Sequence, residues 1–379
     1  MSRSSFPAGL ETGGINPDTF PMASTFVHLH QHTEYSRANG SVRIPSLVRK
    51  AAAQGMPAVA VTDQGNLFAM VKFYRAAMAA GLKPMIGVDL WVADGATTGQ
   101  PSRIVLLCKD RTGYLNLTQL VSRSYTEGQH AGLPVLDKSW LPGSTDGLIA
   151  LSGGRAGDIG QALLANKPDR AQRLLDNWQQ LFEDSFYLEL QRTGRVGDEE
   201  YLHRAVSLAG AASVPVVASN DVHFLAADDF GAHEARVCIN EGRTLDDTRR
   251  TRVFSNQQYL KSPEEMAELF SDIPEALENT VAIAQRCNLE VELGKNYLPD
   301  FPVPDGLTAD AFFRQQARDG LKLRLQKILP QDAGDDAALR REYEERLETE
   351  IEVIVSMGFP GYFLIVADFI QWAKQNGIP

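Results

Sequence analysis

Phe26-Val27-His28-Leu29-His30-Gln31-His32 is the stretch that decides how this chain is read. As an extended strand it alternates its side chains between two faces, so His28, His30 and His32 project the same way. Adjacent imidazoles at the end of an apolar strand are the usual opening of a divalent-metal site. Downstream, Asn39-Gly40 marks a turn, and Ile44, Leu47, Val48 and Ala51 keep helical spacing until Gly55. Ala58 to Thr62 is a buried-strand pattern that runs into Asp63-Gln64-Gly65-Asn66. Leu67, Met70, Val71, Tyr74 and Met78 then mark a second helix. Further strands are predicted at Met85 to Leu90, Ile104 to Leu107, Leu148 to Leu151, Phe186 to Leu190 and Val214 to Ala218. A helix carrying Leu202, Ala205, Val206 and Ala209 separates the last two. Strands and helices alternating at this rhythm define an α/β fold with a mainly parallel sheet, open or closed.

Composition bounds the function. The 379 residues are 44% hydrophobic, enough for a large core and about two to three domains. A formal net charge of -11 argues against an autonomous nucleic-acid binder, which would show a basic face. Cys108, Cys238 and Cys287 lie far apart with no CxxC spacing, which fits a reducing cytoplasm rather than a disulfide framework or zinc knuckle. Residues 1–25, rich in Ser, Gly and Pro, lack the apolar core of a signal peptide and read as a disordered tail. Tyr362 to Val366, the most apolar run, is far too short to span a bilayer.

Past Asp221 the strand signal fades. Residues 262–288 read as two short helices broken at Ile273-Pro274, and Arg314 to Gln326 and Arg341 to Met357 read as helices. The second of these places Leu347, Ile351, Ile354 and Val355 on one face and solvated charges opposite. Arg249-Arg250-Thr251-Arg252 is a short basic run expected in a solvated loop. The end at Gly377-Ile378-Pro379, just after an amphipathic helix, is expected to be a boundary inside a longer protein.

His30 and His32 end the first predicted strand, Asp63 follows the second, Asp89 lies on the third, and Asp221 and His223 follow the strand ending at Ala218. Parallel α/β folds place their functional groups at these carboxyl ends. Carboxylates with neutral imidazoles suit zinc, manganese or iron, and two or three such ions together favour phosphoester hydrolysis. Any one of these residues alone is an ordinary polar cap, and Asp63 before Asn66 also reads as a helix N-cap. The set on one mouth is what points to a metal site.

Three segments carry a family resemblance: His30-Gln31-His32-Thr33-Glu34-Tyr35-Ser36, Thr62-Asp63-Gln64-Gly65-Asn66-Leu67 and Lys83-Pro84-Met85-Ile86-Gly87-Val88-Asp89. They resemble the polymerase-and-histidinol-phosphatase (PHP) domain, in the form that opens the alpha subunits of bacterial DNA polymerase III, the C-family replicative polymerases. The resemblance continues through Leu151 to Arg155, Ser219 to His223 and Asp272 to Ala276, and ends in Met357 to Val366. It implies a distorted (β/α)7 PHP barrel over 26–290, then a helical linker and the truncated start of a polymerase palm over 291–379.

In intact members of that family the barrel mouth binds up to three metals. His30, His32, Asp221 and His223 match the ligand pattern, and Asp89 stands where Glu is more frequent. Gln64 takes the place of a His, Asn39 of an acid, Thr193 of a His, Gly154 of a Cys found in some members, and Arg103 of a further His. An amide binds zinc poorly and cannot shuttle a proton near neutral pH, and a guanidinium repels cations. The resemblance therefore implies a vestigial site holding at most one weak zinc or manganese ion and performing no hydrolysis. The domain's implied role is a structural platform that docks a proofreading exonuclease subunit. The parent would be a cytoplasmic DNA-directed DNA polymerase using magnesium at palm aspartates beyond this chain, with the sliding clamp, clamp loader and primer-template DNA as partners and no membrane. Competing readings are a free-standing metal-dependent phosphoesterase, a barrel that proofreads in cis as a 3′-5′ exonuclease, and an error-prone paralogue of the replicase.

Overall fold

A computed structural model describes residues 26–36, 39–94, 101–295, 297–328 and 337–378; the tail expected over 1–25 lies outside them. The chain forms two compact units, Met1–Val291 and Glu292–Pro379.

The first unit is built on strands β1 (Ala58–Gln64), β2 (Lys83–Ala93), β3 (Ser102–Cys108), β4 (Gln129–His130), β5 (Leu133–Asp137), β6 (Leu148–Leu151), β7 (Phe186–Gln191) and β8 (Val216–Ser219). They form one sheet in the order β4-β5-β2-β3-β6-β7-β8, with β1 also on β2. The long β2 takes β1 in parallel along its first half, Ala58↔Lys83 to Gln64↔Asp89, and β5 along its end, Trp91↔Val135 to Ala93↔Asp137. The segment beginning at Phe26 closes the ring. On one side Ala60 N donates to His28 O (2.9 Å) and Thr62 N to Gln31 O (3.0 Å). On the other, His32 N donates to Val222 O (2.8 Å) and Val222 N to His30 O (3.1 Å). The ring therefore runs first segment, β1, β2, β3, β6, β7, β8 and back, a seven-position barrel of the kind the resemblance implies.

Two expectations change here. The first segment is not a regular strand. A step of two residues on β1 (60 to 62) spans three on the segment (28 to 31), and one extra residue reverses which side chains face in. Val27 and Leu29 join the barrel interior. His28 turns outward, its ring edge-on to Phe26 at 4.8 Å and its Nε2 donating to Lys261 O at 2.9 Å. Only beyond the irregularity do His30 and His32 return to the barrel axis, so His28 does not share their face. The second change concerns β3, which is antiparallel to both β2 and β6. Its beginning, not its end, reaches the mouth, and Arg103 arrives there from the start of a strand.

The interior is filled by Val27, Leu29, Ala58, Ala60, Met85, Val105, Leu107, Ile149, Leu151, Tyr187 and Val217, and is closed below by Ile283 and Ala284 of helix Pro274–Arg286. Space is tight. A Cβ on Gly87 would lie 2.5 Å from Leu106 O and 2.7 Å from Leu107 Cδ2, so only glycine lets β2 and β3 close there. Alternation carries the inward faces up to the mouth as polar side chains: Met85 to Asp89 on β2, Val105 to Arg103 on β3, Tyr187 to Glu189 on β7, and Val217 to Ser219 on β8. The helices predicted around Ile44 and Leu202 are Ile44–Ala53 and Asp198–Ala212, and the pair at 262–288 is Pro263–Leu269 and Pro274–Arg286. Arg250 departs from the solvated-loop reading: its side chain is buried and paired with Glu234 at 2.8 Å.

The second unit comprises helices Ala309–Ile328, Ala337–Ser356 and Pro360–Gln375. Phe313, Ile351 and Leu364 form its buried centre, joined by Leu347, Ile354 and Val355 on the face read from the sequence. Arg314–Glu352 (2.8 Å) and Arg318–Glu348 (2.7 Å) pair on the surface, where such bridges contribute little. Among the described residues no single helix is long and apolar enough to cross a membrane.

Candidate metal centre

At the mouth His30, His32 and Asp221 converge, with one ligand atom of each lying within 4.8 Å of the others. His30 Nε2 stands 3.1 Å from Asp89 Oδ2 and 3.5 Å from Asp221 Oδ1; His32 Nε2 stands 3.3 Å and 3.5 Å from the same atoms. His223 stacks on His32 with ring centroids 4.5 Å apart, and its Nε2 is 3.1 Å from Asp221 Oδ1. Asp221 holds its carboxylate there from a left-handed backbone (φ 42°), a conformation Asp tolerates better than most residues.

The other nitrogen of each ring fixes where the protons are. His30 Nδ1 is 2.7 Å from Glu189 Oε1, and His223 Nδ1 meets the Asn39 carbonyl. His32 Nδ1 is 3.0 Å from Ser36 Oγ, a hydroxyl that already donates to Asp63 Oδ1. Carboxylate, carbonyl and committed hydroxyl are all acceptors, so all three imidazoles carry hydrogen on Nδ1. Their Nε2 atoms then face the carboxylates of Asp89 and Asp221, and His32 Nε2 has no hydrogen-bond partner among the described residues. Lone pairs opposed to carboxylates need a cation between them: a proton or a metal. The donor set thus fits one divalent ion on His30, His32 and Asp221, which would supply Lewis acidity or a bound hydroxide.

Charge at the site follows this geometry. Burial opposes protonation of His30, yet the facing Glu189 and Asp221 carboxylates hold it above its ordinary value. Burial holds His32 below its ordinary value and pushes His223 down to about 3. Asp221 stays well below the carboxylate range despite burial because His223 and His30 face it, and Glu189 is lowered by His30.

The remaining expected positions do not join the cluster. Arg103 binds Asp89 through both Nε (2.7 Å, to Oδ1) and its terminal nitrogen, with its guanidinium 4.7 Å from the Trp91 ring centroid. Gln64 accepts from Asn39 Nδ2 at 2.5 Å, which ties together two positions where the resemblance expects ligands. Thr193 donates to Asp198 Oδ2 through N (3.0 Å) and Oγ1 (2.8 Å). Gly154 packs where a Cβ would meet the Gln191 side chain at 2.8 Å, so a cysteine could enter only if Gln191 moved. Asp63, a candidate from the sequence, stands outside the cluster and caps no helix: it accepts from Thr33 N, Thr33 Oγ1 and Ser36 Oγ and anchors the loop after His32.

Sequence reasoning missed Glu189, Arg195 and Gln258. Glu189 is fully buried beneath His30; Gln258 donates to Asp221 Oδ2 at 2.9 Å; Arg195 Nη1 is 3.6 Å from the same oxygen. A lone glutamate inside the apolar run Phe186-Tyr187-Leu188-Glu189-Leu190 was the available signal, since unpaired acids are almost never fully buried.

A closed ring of this topology with imidazoles and carboxylates at its mouth defines the class: residues 28–193 match the PHP domain family. Residues 311–379 match the family described as the bacterial DNA polymerase III alpha NTPase domain. The chain is similar to the DNA polymerase III alpha subunits. It is 54% identical to that subunit of Pseudomonas aeruginosa over 358 residues, and 50% identical to that of Escherichia coli over 354. These matches cover 94% and 93% of this chain but 30% of each relative, so the chain spans about three-tenths of their length. Among solved structures it is also similar to an amidohydrolase from Chromobacterium violaceum (15% identity, 55% of this chain and 96% of that one, TM-score 0.37).

Proposed function

We propose that this chain is the N-terminal part of a replicative DNA polymerase subunit in which the PHP barrel is a non-hydrolytic platform. The observation that carries the reading is Arg103 bound to Asp89 through two nitrogens inside the mouth. That guanidinium satisfies a carboxylate which a second metal would need, and its charge repels an ion beside it. Gln64, Asn39, Thr193 and Gly154 remove further ligands, so the domain holds at most one weakly bound zinc or manganese ion. Two-metal phosphoester cleavage is out of reach for such a site.

Freed from chemistry, the barrel serves as the docking platform for a separate proofreading exonuclease subunit. Residues 291–379 lead into the polymerase palm, where magnesium held by aspartates outside this chain aligns the primer 3′-hydroxyl with the incoming nucleotide. Sliding clamp, clamp loader and primer-template DNA are partners of the full-length subunit. The converged His30, His32 and Asp221 favour one second reading, a barrel with residual metal-dependent 3′-5′ exonuclease activity.

Mass-spectrometric metal content, measured with cleavage of single-stranded DNA in zinc or manganese, separates the two. No more than one ion per chain and no cleavage supports the platform. Two or more ions with cleavage abolished by His32→Ala overturns it. For the partner, the exonuclease subunit is expected to co-elute with the chain in EDTA as well as in metal; failure to co-elute sinks the docking role.

A further inference from the structure

We infer that Glu189 is the positioning residue for the mouth's metal ligand His30, an outer carboxylate that aims the imidazole's Nε2 at the ion. The inference rests on the reading that His30, His32 and Asp221 take one divalent ion.

Glu189 reaches the site from β7, two residues beyond the interior residue Tyr187, and is fully buried. Its Oε1 collects three donors: His30 Nδ1 at 2.7 Å, Gln191 Nε2 at 3.1 Å and the Ser219 hydroxyl. Two of these come from β7 and β8, so the carboxylate is held by the barrel wall while its third bond holds the ring. A buried carboxylate accepting from Nδ1 fixes which nitrogen carries hydrogen and leaves Nε2 for the ion. It also adds negative charge behind the ring, which makes Nε2 a stronger donor to a metal. Oε2, also buried, has no hydrogen-bond partner among the described residues, so the carboxylate bonds through Oε1. Glu189 itself stands outside the converging ligand atoms, so it acts through His30 rather than on the ion.

The test uses the 379-residue chain with Zn²⁺ alone in calorimetry and Co²⁺ alone in visible absorption. Glu189→Gln keeps size and hydrogen-bonding capacity but removes the charge. It is expected to weaken Zn²⁺ binding about 10- to 100-fold and to shift the Co²⁺ ligand-field bands, a spectral change that a loss of folding stability alone would not produce. If Glu189→Gln does not fold, Ser219→Ala carries the test: freeing Oε1 of one wall donor should weaken Zn²⁺ binding in the same direction by a smaller factor. Wild-type affinity and spectrum retained in the variant would overturn the inference while leaving the one-ion reading standing. Absence of any Zn²⁺ binding by the unaltered chain would overturn both. Two or more ions with DNA cleavage would instead break the platform reading.

Discussion

The two halves of the barrel mouth have been filled by different physics. On the side of the first segment and β8, His30, His32, Asp221 and His223 turn lone pairs and carboxylates toward one another, an arrangement that is incomplete without a proton or a metal. The other polar side chains at the mouth pair within the protein: Arg103 with Asp89, Asn39 with Gln64, Thr193 with Asp198. A buried polar cluster can reach neutrality by binding an ion or by internal pairing, and this mouth presents groups suited to each. Asp89 sits at the join, within reach of both imidazoles but claimed by Arg103.

The largest effect should come from breaking that claim. Arg103→Ala leaves Asp89 buried without its guanidinium, and losing one partner of a buried pair costs about 3–5 kcal/mol. His32→Ala, on the half left open, should cost only about 1–2 kcal/mol. Removing both charges in Arg103→Leu/Asp89→Leu should recover most of the Arg103→Ala loss. Urea unfolding of the whole chain, followed by a signal from the first unit, measures all three. Equal costs for Arg103→Ala and His32→Ala would erase the distinction between the halves.

How much of this could be read beforehand depends on the distance over which each feature is decided. The spacing His30-x-His32 and Asp221-x-His223 at strand ends is local, and the structure brings those groups together. The direction of β3 depends on pairing with β2 and β6, so Arg103 could be read as a misplaced ligand but not as a partner of Asp89. Asp63 looked like a local helix cap; its bonds run back about thirty residues to Thr33 and Ser36. Glu189 belonged to a correctly read strand, yet its importance came from His30, on the far side of the sequence.

His28 is the sharpest case, because strict alternation put it beside His30 and His32. One extra residue in the pairing with β1 turns it outward instead, and His28 and His30 titrate in opposite senses. Burial pushes His28 down to about 4 from an ordinary 6.5. Between those values the unfolded chain binds the proton and the folded chain does not, so stability falls as pH drops through the window, by roughly 3 kcal/mol in all. His30, raised above 6.5, contributes stability that is present below 6.5 and lost as pH climbs through its folded value. His28→Gln should therefore make the acid limb of the stability curve between pH 6.5 and 4 shallower, the share of the buried His32 and His223 remaining, while leaving the loss above pH 6.5 in place. An acid limb as steep in the variant as in the parent would mean that His28 is not the buried, neutral ring described.

The smallest effect tests whether the paired half is structural alone. Thr193 gives Asp198 Oδ2 two of its hydrogen bonds, and Arg195 N adds a third at 3.2 Å. The other oxygen of Asp198 is bound by Arg155 Nη1 at 2.8 Å. Thr193→Val keeps the shape and the backbone donor but removes the hydroxyl, leaving Asp198 with its remaining partners. The expected cost is about 1 kcal/mol in urea unfolding. Zn²⁺ affinity in calorimetry should be unchanged, because Thr193 touches no group of the converging cluster. A fall in Zn²⁺ affinity well beyond this small stability cost would mean that the two halves are coupled, and that Thr193 still belongs to the metal side of the mouth.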